Sequence, residues 1–337
     1  SSNTALGNSA LYDNTSGNYN VAVGESSLEN NTTASENTAV GYQAGYSNTS
    51  GTPNAAFGYR SQYLNTTGNY NSSFGAASLR QNTTGANNVS VGYAALYSNT
   101  TANNNTAVGY NSLYANTTGI ENTAIGTIAL DANTTGNHNI AVGYGALTDA
   151  TTASYNTAVG RSALGDSTTA QQNNALGYEA LRYTTTGSYN NAFGLQALRL
   201  NTTGANNTAM GQAALYNNTT ASDNTAVGYQ AAYVNTTGTY LTAIGTQSAF
   251  YNTTGNIAAI GYQAGHNNTT GLRNTAVGRY RPLFTNTTGS SNTAIGDQAL
   301  LSNTTASSNT TVGYQAGYAN TTGELNTAVG AQALNAN

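Results

Sequence analysis

One spacing governs this chain. Indexed on the glycine of each "AVG"-like segment, the units fall at 7, 24, 41, 58, 75, 92, 109, 126, 143, 160, 177, 194, 211, 228, 245, 261, 278, 296, 313 and 330. Every step is 17 residues except one of 16 (245 to 261) and one of 18 (278 to 296), so 337 residues hold twenty copies. A period this short and strict points to a solenoid, in which each repeat is one coil stacked on the last. Residues 1–337 therefore read as one continuous array. Neither end carries a polar cap, so the chain is expected to be a window of a longer fibre or a unit that stacks end to end.

The columns of the repeat set the fold class. "TAVG" is a short alternation with a β-branched residue, which suits a strand. A glycine and several Asn and Thr in every unit disfavour helix, and "NTTG" and "NTTA" carry turn residues. The expectation is an all-β parallel β-solenoid of about twenty 17-residue coils, each residue about 4.8 Å above its copy. The residue before the glycine is always apolar (Leu6, Val23, Val40, Phe57 and so on to Val329), and is expected to form an inward stack. The leucine four after the glycine (Leu11, Leu96, Leu147, Leu300) fills the opposite wall, and alanines let the walls approach. Thr and Asn ladders at the corners supplement a thin core. The 16-residue step shortens the turn before a strand. The 18-residue step, "GRYRPLFTNTTG" with Pro282, predicts a bulge, because proline cannot donate within a ladder.

Composition narrows the function. Only 6% of residues are charged, against about 25% in ordinary domains. Eight arginines face twelve acids, for a net charge of −4, and no basic cluster exists, which argues against nucleic acid. No apolar run approaches the roughly 18 residues of a membrane span. The absence of cysteine rules out disulfides and thiolate metal sites. His138 and His266 lie in different columns and the acids are scattered, so nothing suggests general acid/base work, a metal site or a cofactor. An enzyme is not expected.

Two columns could carry function. Sixteen of nineteen spacers contain Asn-Thr-Thr or Asn-Thr-Ser, the acceptor pattern for N-glycosylation, at Asn14, Asn31, Asn48, Asn65, Asn82, Asn99, Asn116, Asn133, Asn201, Asn218, Asn235, Asn252, Asn268, Asn286, Asn303 and Asn320. A structural asparagine is the competing reading. Three consecutive spacers keep the Thr pair and replace the Asn with Ala150, Ser167 and Thr184, which makes the Asn look separable from the fold and helps the glycan reading, although the structural asparagine stays ahead of it. The Thr columns are equally candidates for O-linked sugar. Tyrosines one and five after the glycine (Tyr42, Tyr110, Tyr229; Tyr46, Tyr114, Tyr233) could stack on sugar rings or on one another. Charged residues share both columns, so both are expected to be partly wet.

The units "NTAIGTIAL" (Asn122–Leu130) and "NIAVGYGAL" (Asn139–Leu147) resemble the head repeats of trimeric autotransporter adhesins, written roughly S-V-A-I-G-x-x-A. The array is also similar to repeats of phage and giant-virus tail-fibre proteins. The adhesin resemblance implies a left-handed parallel β-roll, three chains side by side, on a cell surface. The period here is 17 where the adhesin repeat is nearer 14, and the additional residues fall in the "NTT" turn. The resulting expectation is a structural extracellular fibre or filament shaft, at a cell or virion surface, displaying glycan along its Asn-Thr-Thr edge. One alternative is a trimeric adhesin or tail-fibre shaft that binds host glycans; another is an ice-binding solenoid with a regular Thr rank. The expected partners are further copies of the chain, end to end or side by side, a trimer included, and carbohydrate, covalent or bound.

Overall fold

The computed structural model describes residues 2–336. They form two compact units, Ser1–Gln171 and Gln172–Asn337. Each is an all-β parallel β-solenoid, with no helix among the described residues. The first unit holds strands β1 (Thr4–Leu6) to β10 (Thr157–Val159), the second β11 (Asn174–Leu176) to β20 (Thr327–Val329), one per coil. Nearly all are three residues long. In the first unit Thr106, Ala107 and Val108 pair in parallel with Thr123, Ala124 and Ile125. In the second, Asn191, Ala192 and Phe193 pair with Thr208, Ala209 and Met210.

One coil, residues 105–121, shows why the repeat reads as it does. Ala107 is fully buried, while Thr106 and Val108 on either side of it point outward and are half-buried. Gly109 turns the chain at φ +138, and a Cβ there would lie 2.5 Å from the carbonyl oxygen of Gly126 in the next coil. Both the backbone angle and the close approach of the coils therefore require glycine. Leu113 is fully buried, and it sits in the left-handed region at φ 50, as Leu96 and Leu130 do at 51 and 53. That conformation costs an L-residue roughly 1–2 kcal/mol. Burying the side chain returns roughly 2–3 kcal/mol, so the corner is held by what it packs.

Backbone bonds run from coil to coil around the perimeter. Thr106 N–H donates to Asn122 at 2.8 Å, Leu113 to Ala129 at 2.9 Å, and Thr117 to Thr134 at 3.0 Å in the next coil; Gly109 donates back to Val91 at 2.8 Å.

The column before the glycine does not face inward as expected. A three-residue strand turns only its middle side chain to the core, and that residue is Ala. The space opposite is taken by Leu, so the coil is too narrow for a second large row. The apolar residues before the glycine face out instead, with Phe74 42% and Met210 44% exposed, and Ile125, Leu176 and Ile295 exposed with them.

The two irregular steps also resolve into local structure. In the 16-residue coil, Gly255 takes φ +72 and Ile257 replaces the usual asparagine as a buried residue. Where the 18-residue coil begins, β17 (Asn274–Tyr280) and its neighbour β16 (Ile257–Tyr262) in the preceding coil lengthen, and the register between them shifts between Ile260 and Tyr262. This is the bulge expected near Pro282. The additional residue is absorbed between Gly278 and Arg281, because Arg281 and Leu283 take the two left-handed corner positions, each at φ 51.

Candidate functional site

The sixteen sequon asparagines line the inside of the coils. Fifteen are buried, and Asn14 in an outermost coil is half-buried. Asn116 is typical. Its Nδ2 donates to Asn99 Oδ1 at 3.1 Å in the preceding coil and to the carbonyl of Gly119 at 2.9 Å, while its Oδ1 accepts from Asn133 Nδ2 at 2.8 Å. In the folded coil these amides are enclosed and hydrogen-bonded to one another, which favours the structural reading of the asparagines over an Asn-linked glycan edge. Ala150, Ser167 and Thr184, which made the Asn look separable, are themselves fully buried in the same column. The cost of the missing amide is visible around them. Asn133 Oδ1 and Ser167 Oγ are buried without a hydrogen-bond partner.

A second amide ladder, not singled out from the sequence, runs through the asparagine that enters each strand. Asn105 Nδ2 donates to Gly119 O at 2.9 Å. Its Oδ1 accepts from the backbone N–H of Asn122 at 2.9 Å. The carbonyl of Gly119 therefore receives both ladders, from Asn105 and from Asn116. The signal was available, since 18 of the 20 coils carry Asn at this position. The two exceptions, Leu241 and Ile257, are buried apolar residues. Beside them the turn ladder also fails: Asn252 turns its Oδ1 to the N–H of Gly255 at 2.7 Å, and Asn235 Oδ1, Asn252 Nδ2 and Thr254 Oγ1 are buried without partners.

The outer surface is a set of parallel ranks. The first Thr of most pairs is spent on the coil, as Thr117 Oγ1 donates to Thr134 O at 3.1 Å. The second is exposed in both units (Thr33, Thr67, Thr118; Thr203, Thr220, Thr288) except at Thr254, so each unit presents a rank of outward hydroxyls.

The aromatic columns stack on themselves. Tyr93 and Tyr110 are 5.5 Å apart and Tyr97 and Tyr114 5.1 Å, centroid to centroid and nearly parallel. In the second unit a ladder runs Tyr216, Tyr233, Phe250, His266, Phe284 at 5.2 Å per step. Burial lowers the pKa of His266, a hydrogen bond to Asn267 opposes this, and the nearby Arg281 guanidinium lowers it further. Rings inside such a ladder offer edges rather than faces to solvent, so these columns stiffen the coil rather than forming sugar platforms.

Ion pairs join Glu179 to Arg182 and Arg199, Asp297 to Arg279, and Glu121 to His138. Glu179 is buried, and accepts from Arg199 Nε at 2.7 Å, Gln196 Nε2 at 3.0 Å and the Arg182 guanidinium. Burial alone would raise its pKa, but those hydrogen bonds outweigh it and hold the carboxyl at about 2. Among the described residues no group of three or more His, Cys, Asp or Glu could hold a metal ion, and no helix is long and apolar enough to cross a membrane. Neither a protein-family model nor a curated protein matches the sequence.

Proposed function

We propose that this chain is the shaft of an extracellular fibre or filament at a cell or virion surface, and that its shafts associate side by side. The observation that carries this is the outward apolar column. In every coil the residue before the glycine is apolar, it lies on the outer face, and the neighbouring outward strand position holds Thr, Val, Ser, Ala, Ile or Asn but no charge. Within each unit, an outward apolar strip of this kind, half-buried to exposed, marks an interaction surface. A partner that covers it coil after coil must share its spacing, and a second copy of the chain does. The resemblance to adhesin heads and tail fibres supports the same arrangement and favours three chains. If the fibre carries sugar, the exposed second Thr of each pair is where the geometry leaves room for it.

The test is the mass of the assembly in solution. Sedimentation of the intact chain is expected to give a dimer or trimer. Replacing Val108, Ile125 and Val142 by Asp is expected to give monomers with unchanged circular dichroism. A wild-type chain that stays monomeric at high concentration refutes side-by-side association.

A further inference from the structure

Two notches interrupt the trough between the strand and the corner that precedes it, one in each unit. Their origin is legible in the strand position two before the apolar residue. Eighteen of the twenty coils carry a larger side chain there; Ala occurs only at Ala55 and Ala258, and each alanine lies in a notch. The second-unit notch has a volume of about 230 Å³. Ala258 lies between Thr242 and Thr275, and the wall is formed by Tyr240, Asn256 and Arg273 of three successive coils. Tyr240 is 71% exposed. Unlike the laddered tyrosines, it has no ring stacked on it among the described residues.

Arg273 is the decisive group. The other arginines are engaged: Arg182 and Arg199 with Glu179, Arg279 with Asp297, Arg281 with Gln263, Arg60 with Gln43, Arg80 with Tyr97 and Arg161 over Tyr144. Arg273 is the one arginine whose side chain has no ion pair, hydrogen bond or ring contact among the described residues. It stands exposed at the opposite end of the notch from an open aromatic face. The first-unit notch repeats the plan with the charge reversed: Tyr70 at one end, Glu36 at the other and Ala55 between.

We propose that the Tyr240–Arg273 notch binds a pyranose bearing a carboxylate, as in a uronic acid residue of a polysaccharide. The tyrosine face receives the ring's C–H face, the guanidinium pairs with the carboxylate, and the hydroxyls of Thr242 and Thr275 with the Asn256 amide meet ring hydroxyls. This assignment does not rest on the fibre reading and is testable on the isolated chain. Oligomers of galacturonic and glucuronic acid, and their methyl esters, would be titrated by saturation-transfer NMR. The acids are expected to bind with transfer to ring protons, and the esters about tenfold more weakly. Arg273→Gln should remove the preference for the acid, and Tyr240→Ala should weaken acid and ester alike. Ala258→Thr fills the notch with the side chain most coils carry there and should abolish binding while the circular dichroism is unchanged. Glu36→Gln should leave acid binding unaltered. Absence of binding by both acids, equal binding of acid and ester, displacement by acetate as effective as by the oligomer, or binding that survives Ala258→Thr would each overturn the assignment.

Discussion

The turn ladder can be tested from both directions with two substitutions in one column. Asn116→Ala removes three hydrogen bonds, those to Asn99, Gly119 and from Asn133. At about 1 kcal/mol net for each, the loss is about 3 kcal/mol. Asn99 Oδ1 is left buried without a donor, while Gly119 O keeps its bond from Asn105. Ala150→Asn does the reverse. A new amide there reaches the two orphaned groups on either side, Asn133 Oδ1 and Ser167 Oγ. Two bonds at about 1 kcal/mol each, less roughly 1 kcal/mol for ordering the side chain, leave a gain of about 1 kcal/mol. Urea unfolding followed by far-ultraviolet circular dichroism reads the sign. Repeat arrays do not always unfold in one step, so native-state hydrogen exchange at the Thr117 and Thr151 amides should localise each effect. Opposite signs are required. If Asn116→Ala is neutral, the ladder contributes nothing; if Ala150→Asn destabilises, the orphaned groups are not waiting for an amide.

Three other outcomes follow from the same geometry. Gly109→Ala, at φ +138 with the next coil's carbonyl 2.5 Å from the new Cβ, should cost at least about 3 kcal/mol in urea unfolding. Gly119→Ala also brings a Cβ within 2.3 Å of the Gly136 carbonyl oxygen, but its φ is not left-handed and Ala102 and Ala153 occupy the same corner in other coils, so the backbone can shift to admit it and the cost should be smaller than at Gly109. The depressed pKa of Glu179, about 2 against 4.5, contributes stability that is complete above pH 4.5 and lost as pH falls toward 2. At about 1.4 kcal/mol per unit this amounts to about 3 kcal/mol, and Glu179→Gln should flatten the second unit's acid unfolding curve over that window. Glycopeptide mapping of the chain secreted from a glycosylating host should find Asn65 to Asn133 bare; sugar on those amides in folded protein would refute the buried ladder.

The period, the parallel coil and the Gly corner were legible in the sequence because each has a local cause. The corner glycine recurs in all twenty coils and a Thr-Thr or Thr-Ser pair in all nineteen complete spacers, so each announces itself by repetition. The role of the asparagines was legible only as the nearer of two readings, because Asn before Thr-Thr has the same composition whether its amide points to solvent or to the next coil. Ala150, Ser167 and Thr184 then pointed the wrong way. Substitution in a column reads as tolerance, yet here it leaves buried polar atoms without partners. The free Arg273 and the open face of Tyr240 were equally hidden, since distinguishing them from laddered neighbours requires knowing what each side chain touches.

The outward apolar column shows most clearly what periodicity leaves open. A strand alternates faces, and slipping its register by one residue exchanges them. For Thr-Ala-Val, hydrophobicity alone turns Thr and Val inward and leaves Ala out. The leucine corner decides otherwise. Leu113 and its copies fill the interior from the far wall, so the strand can lie close only if its inward residue is small. Burying Ala107 rather than Val108 gives up some transfer energy within one chain, because Val carries more apolar area than Ala. The sequence nevertheless keeps an apolar residue at that outward position in all twenty coils, where Thr or Ser would satisfy the strand equally well. A row of surface side chains held apolar without interruption is explained if the area withheld from the coil's own core is buried between chains. That is why the state of association, more than any single substitution, decides what this solenoid is for.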